Sequence, residues 1–122
     1  MEEQTVATAF RAAVLRAPDA IFCKSAEGGL SYREAAGAID ALAQEIGPQV
    51  QGRAVALILP NSKTFLIAYY ATLFAGGKPA LINYGHPQGT IDTLLGDLDV
   101  ALVISDRDNA GKDTRVINDT LV

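Results

Sequence analysis

Tryptophan is absent from the 122 residues, and cysteine, methionine and histidine occur once each. A single cysteine, Cys23, cannot close an internal disulfide, which excludes a cross-linked secreted scaffold. With His86 as the only histidine, no His/Cys cluster has metal-ligand spacing, and no metal residue is expected. Basic charge is also short: 10 Lys and Arg stand against 14 Asp and Glu, for a net charge of −4. A chain so balanced has no basic surface suited to a phosphate backbone, so nucleic acid is not an expected partner. Long apolar runs are missing as well. The most apolar stretch, Phe65 to Gly77, is too short for a bilayer core of about 30 Å and is flanked by Lys63 and Lys78. The start, Met1-Glu2-Glu3-Gln4, lacks the positive region and apolar run of a secretory signal. No membrane span is expected, and a cytoplasmic location is.

What remains is the composition of an ordinary folded domain, 49% hydrophobic and 20% charged. Val6, Phe10, Ala13, Val14 and Ala17 recur at helical spacing, which predicts a helix over about Thr5 to Ala17 that Pro18 stops. Ala20 to Lys24 is a β-prone run that Glu27-Gly28-Gly29 can turn back into Leu30-Ser31-Tyr32, a small β-hairpin. Ser31 and Glu34 have the spacing of a capping box. The helix that they open carries the stripe Ala35, Ile39, Leu42, Ala43 and Ile46, and Gly47-Pro48 is expected to end it.

The pattern then changes. Ala54 to Leu59 is continuously apolar, as a strand buried on both faces of a parallel sheet must be. Pro60-Asn61-Ser62 breaks it, and Ser62 can cap a third helix reaching about Ala75 and closed by Gly76-Gly77. Pro79 to Ile82 forms a second buried strand, and Asn83-Tyr84-Gly85-His86-Pro87 a loop. Ile91, Leu94, Leu95 and Leu98 trace a fourth helix, and Val100 to Ile104 a third strand. Strands alternating with helices across short joints imply parallel neighbours and right-handed crossovers, so the fold class is α/β, a doubly wound, mostly parallel, Rossmann-like sheet in a single domain over 1–122. Ser105 to Thr114 is polar and loop-like, and Arg115 to Asn118 can begin another strand. The third helix is apolar almost all round, and Val116-Ile117 and Leu121-Val122 look sheet-bound without a cover. Both features suggest a continuation beyond this segment.

Three patches in order carry a family likeness. Leu30-Ser31-Tyr32-Arg33-Glu34-Ala35, Arg53-Ala54-Val55-Ala56-Leu57-Ile58-Leu59-Pro60-Asn61-Ser62 and Leu73-Phe74-Ala75-Gly76-Gly77-Lys78-Pro79-Ala80 resemble successive motifs of the adenylate-forming (AMP-binding) superfamily, and Ala101 to Asp106 occupies the expected strand position. That superfamily includes acyl-CoA synthetases, aryl-CoA ligases, luciferases and adenylation domains of nonribosomal peptide synthetases. The resemblance, from about Thr5 to Asp106, implies the N-terminal subdomain of an enzyme that uses ATP and Mg to make an acyl-adenylate and then passes the acyl group to a thiol such as CoA. The family's phosphate-binding loop, ending in Gly-x-Pro-Lys-Gly, and its later nucleotide motifs do not occur in this segment. The segment is therefore expected to be inactive alone, with no catalytic residue and no cofactor of its own. Its expected partner is the remainder of the enzyme, or another copy through apolar surface. In acetyl-CoA-synthetase-like members, the loop after the second strand lies beside the CoA nucleotide. This implies Tyr84, Gly85 and His86 as CoA-side residues, with Lys112 as the nearest basic candidate; Gly85 is the one glycine that matches.

Other sharp readings give way to plain ones. Gly76-Gly77-Lys78-Pro79 and Gly111-Lys112-Asp113-Thr114 lack the upstream glycine and the following Ser or Thr of a phosphate loop. Asp106, Asp108 and Gly111 partly mimic a calcium loop, but Ala110 and Ile117 remove two ligands, leaving a solvated turn. His86 has no carboxylate or serine neighbour for a catalytic dyad, and Cys23 reads as an inert thiol in an apolar strand. Asn118-Asp119-Thr120 fits a glycosylation pattern that matters only with secretion. An alternative function is a stand-alone interaction or scaffold module derived from the same fold. Its apolar surface would then be a partner site.

Overall fold

The structure, a computed structural model, describes residues 6–25, 28–60, 62–106 and 114–116. Lys112, the Gly111-Lys112 turn and Asn118-Asp119-Thr120 lie outside the described residues. Ten elements follow one another: α1 (Val6–Arg16), β1 (Ile21–Ser25), β2 (Gly28–Ser31), α2 (Tyr32–Val50), β3 (Ala54–Ile58), α3 (Lys63–Phe74), β4 (Lys78–Leu81), α4 (Gln88–Asp97), β5 (Val100–Ser105) and β6 (Thr114–Val116). Strands β1 and β2 pair as an antiparallel hairpin. The other four form a parallel sheet in the order β4-β3-β5-β6. The chain moves outward from β3 to β4, crosses back over β3 through α4, and continues outward from β5 to β6. This is the doubly wound arrangement that the alternation of elements implies.

The two faces of the sheet bury different residues. Val55, Leu57, Leu59, Leu102 and Ile104 pack with α2 and α3 in the larger core. Ala56, Ile58, Ile82 and Val103 pack with Ile91 and Leu95 of α4 in the smaller one. Alternate residues of β3 thus serve opposite cores, which is why its sequence shows no polar alternation.

Local chemistry sets the helix ends. Ser31 and Glu34 complete the capping box: Glu34 N–H donates to Ser31 Oγ at 3.1 Å, and Ser31 N–H donates to Glu34 Oε1 at 2.9 Å. The end of α2 corrects the expectation from Gly47-Pro48. The helix runs through Pro48 to Val50 and turns only at Gln51 (φ 44°) and Gly52 (φ 79°). Val50 is fully buried and extends the stripe Ala35, Ile39, Leu42, Ile46 by one more turn. Its burial outweighs the one backbone hydrogen bond that proline removes.

Helix α3 ends in a Schellman motif, with Gly77 N–H donating to Thr72 O at 2.9 Å and Gly76 N–H to Leu73 O at 3.0 Å. Gly76 takes φ 86°, whereas Gly77 is needed for closeness: a Cβ there would lie 2.5 Å from Val50 Cγ1 and 3.1 Å from Arg53 O. This apolar helix is covered in part. Helices α1 and α2, the hairpin and the sheet leave none of its residues exposed, although Phe65, Leu66, Tyr69, Tyr70, Leu73 and Phe74 stay half-buried.

Candidate functional site at the strand ends

In a parallel sheet every strand points the same way, so residues far apart in sequence meet at one edge. The carboxyl ends of β3, β4 and β5 bring together Pro60 and Ser62, the loop Asn83 to Pro87, and Asp106. A crevice at such an edge, where connections leave in opposite directions, is where α/β sheets bind ligands. Here the connection from β3 leads towards β4, and that from β5 leads towards β6.

Each part of this edge is held by its own hydrogen bonds. Ser62 Oγ accepts from Phe65 N–H at 3.2 Å and donates to Pro60 O at 3.1 Å, which starts α3 and fixes its joint with β3. Asn83 Oδ1 accepts from Gly85 N–H at 2.8 Å, and Asn83 O accepts from His86 N–H at 3.2 Å. Asn83 thereby folds the loop on itself as an Asx turn. The Tyr84 hydroxyl donates to Asp106 Oδ2 at 2.7 Å. Because β3 lies between β4 and β5, this bond spans the carboxyl end of the central strand. It is short because its acceptor is a carboxylate. The Tyr84 ring also packs against the smaller core, so the residue is anchored at both ends.

The sequence expectation placed Tyr84, Gly85 and His86 together, and the structure puts them on one loop at this edge. Tyr84 is half-buried, while Gly85 and His86 are exposed. His86 makes no side-chain hydrogen bond or ion pair among the described residues. Asp106 is the residue that sequence reading missed: it is half-buried and bonded to Tyr84 instead of lying in a solvated turn. The available signal was its position directly after the apolar run of a strand parallel to the one preceding Tyr84. Among the described residues no group of three or more His, Cys, Asp or Glu could hold a metal ion. The carboxylate of Asp106 at this edge is engaged by the Tyr84 phenol. No chemical step of adenylation is assigned to the described residues.

The sheet order and its short crossovers define the class as doubly wound α/β, and comparison narrows it. The family described as AMP-binding enzyme matches residues 10–121. The chain belongs to that family.

An artificially fused Adenylation-PCP di-domain, NpsA-ThdA from Klebsiella oxytoca, shares the fold with a TM-score of 0.85 at 21% identity, over 95% of this chain and 23% of that one. The O-succinylbenzoate coenzyme A synthetase MenE from Bacillus subtilis matches with a TM-score of 0.79 at 17% identity, over 92% of this chain and 31% of that one. By sequence, the nonribosomal peptide synthetase easA of Emericella nidulans is 30% identical over 100 residues, 78% of this chain and 1% of the relative. The chain thus spans about a hundredth of that relative, and its fold matches 30% of the length of the Klebsiella oxytoca NpsA N-terminal subdomain. No helix among the described residues is long and apolar enough to cross a membrane.

Proposed function

We propose that this segment is the scaffold on which an ATP-dependent, carboxylate-activating enzyme assembles its active site. The whole enzyme joins an acid to AMP with release of pyrophosphate and then hands the acyl group to a thiol. The observation that carries this reading is the family match across residues 10–121, which takes in both sheet cores and the strand-end loops. The segment's part is structural. It supplies the parallel sheet and its crevice, while the groups that bind phosphates come from elsewhere in the enzyme, and its main partner is the remainder of that enzyme.

For the acceptor, similarity to nonribosomal peptide synthetases and to an Adenylation-PCP di-domain favours a carrier-protein thiol over the acyl-CoA product that the sequence suggested. CoA remains the alternative tied to Tyr84, Gly85, His86 and Lys112. The exposure of Gly85 and His86 at the crevice supports it.

A chimera tests the scaffold role. Residues 10–121 replace the corresponding segment of the Klebsiella oxytoca NpsA protein, and acid-dependent exchange of pyrophosphate into ATP is measured with that enzyme's own acid. Retained exchange with unchanged acid preference is expected. A folded chimera that binds ATP but shows no exchange overturns the scaffold reading.

A further inference from the structure

One flank of the larger core is left unfinished for water. From Thr64 to Phe74, α3 carries no charged residue, and its two threonines are buried. Phe65, Tyr69, Tyr70 and Phe74 are half-buried against that core. Leu66 and Leu73 are half-buried too, but among the described residues they pack against neither core. They stand seven residues apart, about two helical turns, and so share the face of α3 that lies away from the buried Thr64, Ala68 and Ala71.

Strand β4 extends the same flank. Leu81 aligns with Leu57, which serves the larger core, so its side chain points to the face of the sheet that α3 covers. Because β4 ends the sheet among the described residues, Leu81 stays 61% exposed. On the opposite face, α4 also exposes Leu94 and Leu98, but it interleaves them with exposed Asp92, Thr93 and Asp97. No such polar residues stand between Leu66 and Leu73 on the outward side of α3.

The free edge of β4 is closed to another strand. Lys78 N–H donates to Arg53 O and Ile82 N–H to Leu57 O, so the alternate residues Pro79 and Leu81 turn their backbone away from β3. Pro79 has no N–H, which leaves Leu81 as the outward donor of β4. A proline at this point protects an edge from pairing, and with it from edge-to-edge pairing of two copies. Cover for Leu81 therefore comes from side chains, not from an added strand.

The occupant follows from the lengths of the similar structures. This chain covers 23% of the adenylation di-domain and 31% of MenE, so each has most of its length to place against this fold. A face with so little polarity matches a permanent interface, which resembles a core cut in two. We propose that Leu66, Leu73 and Leu81 form the surface on which the remainder of the adenylating enzyme docks, through apolar side chains that complete this flank. The proposal rests on the scaffold reading above and adds the face where the two parts meet.

The test makes Leu66→Cys, Leu73→Cys and Leu81→Cys singly in the 122-residue chain and in the NpsA chimera. Labelling by iodoacetamide is read by mass spectrometry on the peptide that carries each site, relative to its rate in urea, so Cys23 and other cysteines do not interfere. All three sites are expected to label in the isolated chain, and at least about tenfold more slowly in the chimera. Thr93→Cys, on α4, is expected to label alike in both. The proposal is overturned if the three sites label as fast in the chimera as in the isolated chain, or if Thr93→Cys is slowed as much as they are. It is also overturned if rising concentration of the isolated chain protects them in step with dimers seen by sedimentation, since a second copy is then the occupant. Pyrophosphate exchange by the unsubstituted chimera reports on the scaffold reading separately: an active chimera whose three sites label freely overturns the docking surface alone.

Discussion

The hydrogen bond from Tyr84 to Asp106 ties the loop after β4 to the end of β5, and a double-mutant cycle measures it. The variants are Tyr84→Phe, Asp106→Ala and the pair together. At 2.7 Å, a phenol donating to a carboxylate belongs to the stronger class of hydrogen bonds, about 1.5–3 kcal/mol when well shielded. Both residues are only half-buried, and water competes for the carboxylate, which lowers the expected coupling to about 1 kcal/mol.

For a chain of 122 residues the unfolding entropy is about 0.26 kcal/mol/K, so loss of that coupling lowers the thermal midpoint by roughly 4 °C. Each residue also has other interactions, so either single variant can lose more than the coupling. Urea unfolding of the four chains gives the coupling directly. Native-state hydrogen exchange should show the Gly85 and His86 amides exchanging faster in Tyr84→Phe, because the loop that Asn83 folds loses its outer anchor. A coupling below about 0.3 kcal/mol, within the error of additivity for independent sites, refutes the reasoning.

Packing gives a sharper contrast. Ile67→Ala, at a fully buried position of α3, should cost about 2–5 kcal/mol, whereas Leu15→Ala, 86% exposed on α1, should stay within about 0.5 kcal/mol; equal losses in urea unfolding would show the core to be misassigned. Gly77→Ala should destabilise by about 1–3 kcal/mol, because the new methyl meets Val50 and the Arg53 carbonyl; an unchanged urea midpoint would mean that α3 and α2 do not pack so closely. Burial, with Tyr32 and then Tyr69 nearby, should make Tyr70 ionise above the ordinary tyrosine range in an alkaline titration followed by ultraviolet absorbance, and Tyr70→Phe should remove that late component. The sign follows from its raised pKa. The stability held by the neutral phenol is complete below the unfolded tyrosine pKa near 10 and is lost as pH rises through the higher folded value.

Much of the fold could be read from the chain because its strongest signals are local. Ser31 with Glu34 and Ser62 before Phe65 mark helix starts through bonds within one turn, and the apolar run from Ala54 announces a strand that serves two cores. Pro48 misled because its cost is local and the compensating burial of Val50 is tertiary. The cover of helix α3 is likewise tertiary. Its all-round apolarity points to a covering layer, but one sequence does not show that α1, α2 and the hairpin supply most of it.

At the site, Tyr84, Gly85 and His86 were legible as a loop between a strand and a helix. The partnership of Tyr84 with Asp106 was not, since it spans 22 residues and depends on the strand order β4-β3-β5.

The measurement closest to the central claim is acid-dependent exchange of pyrophosphate into ATP by the purified 122-residue chain, with Mg-ATP and a panel of amino, aryl and fatty acids. A scaffold without phosphate-binding groups of its own should give no exchange above the acid-free background with any acid. Sustained exchange that depends on one acid and is carried by the pure chain would contradict the account, because it would place adenylating machinery among these residues.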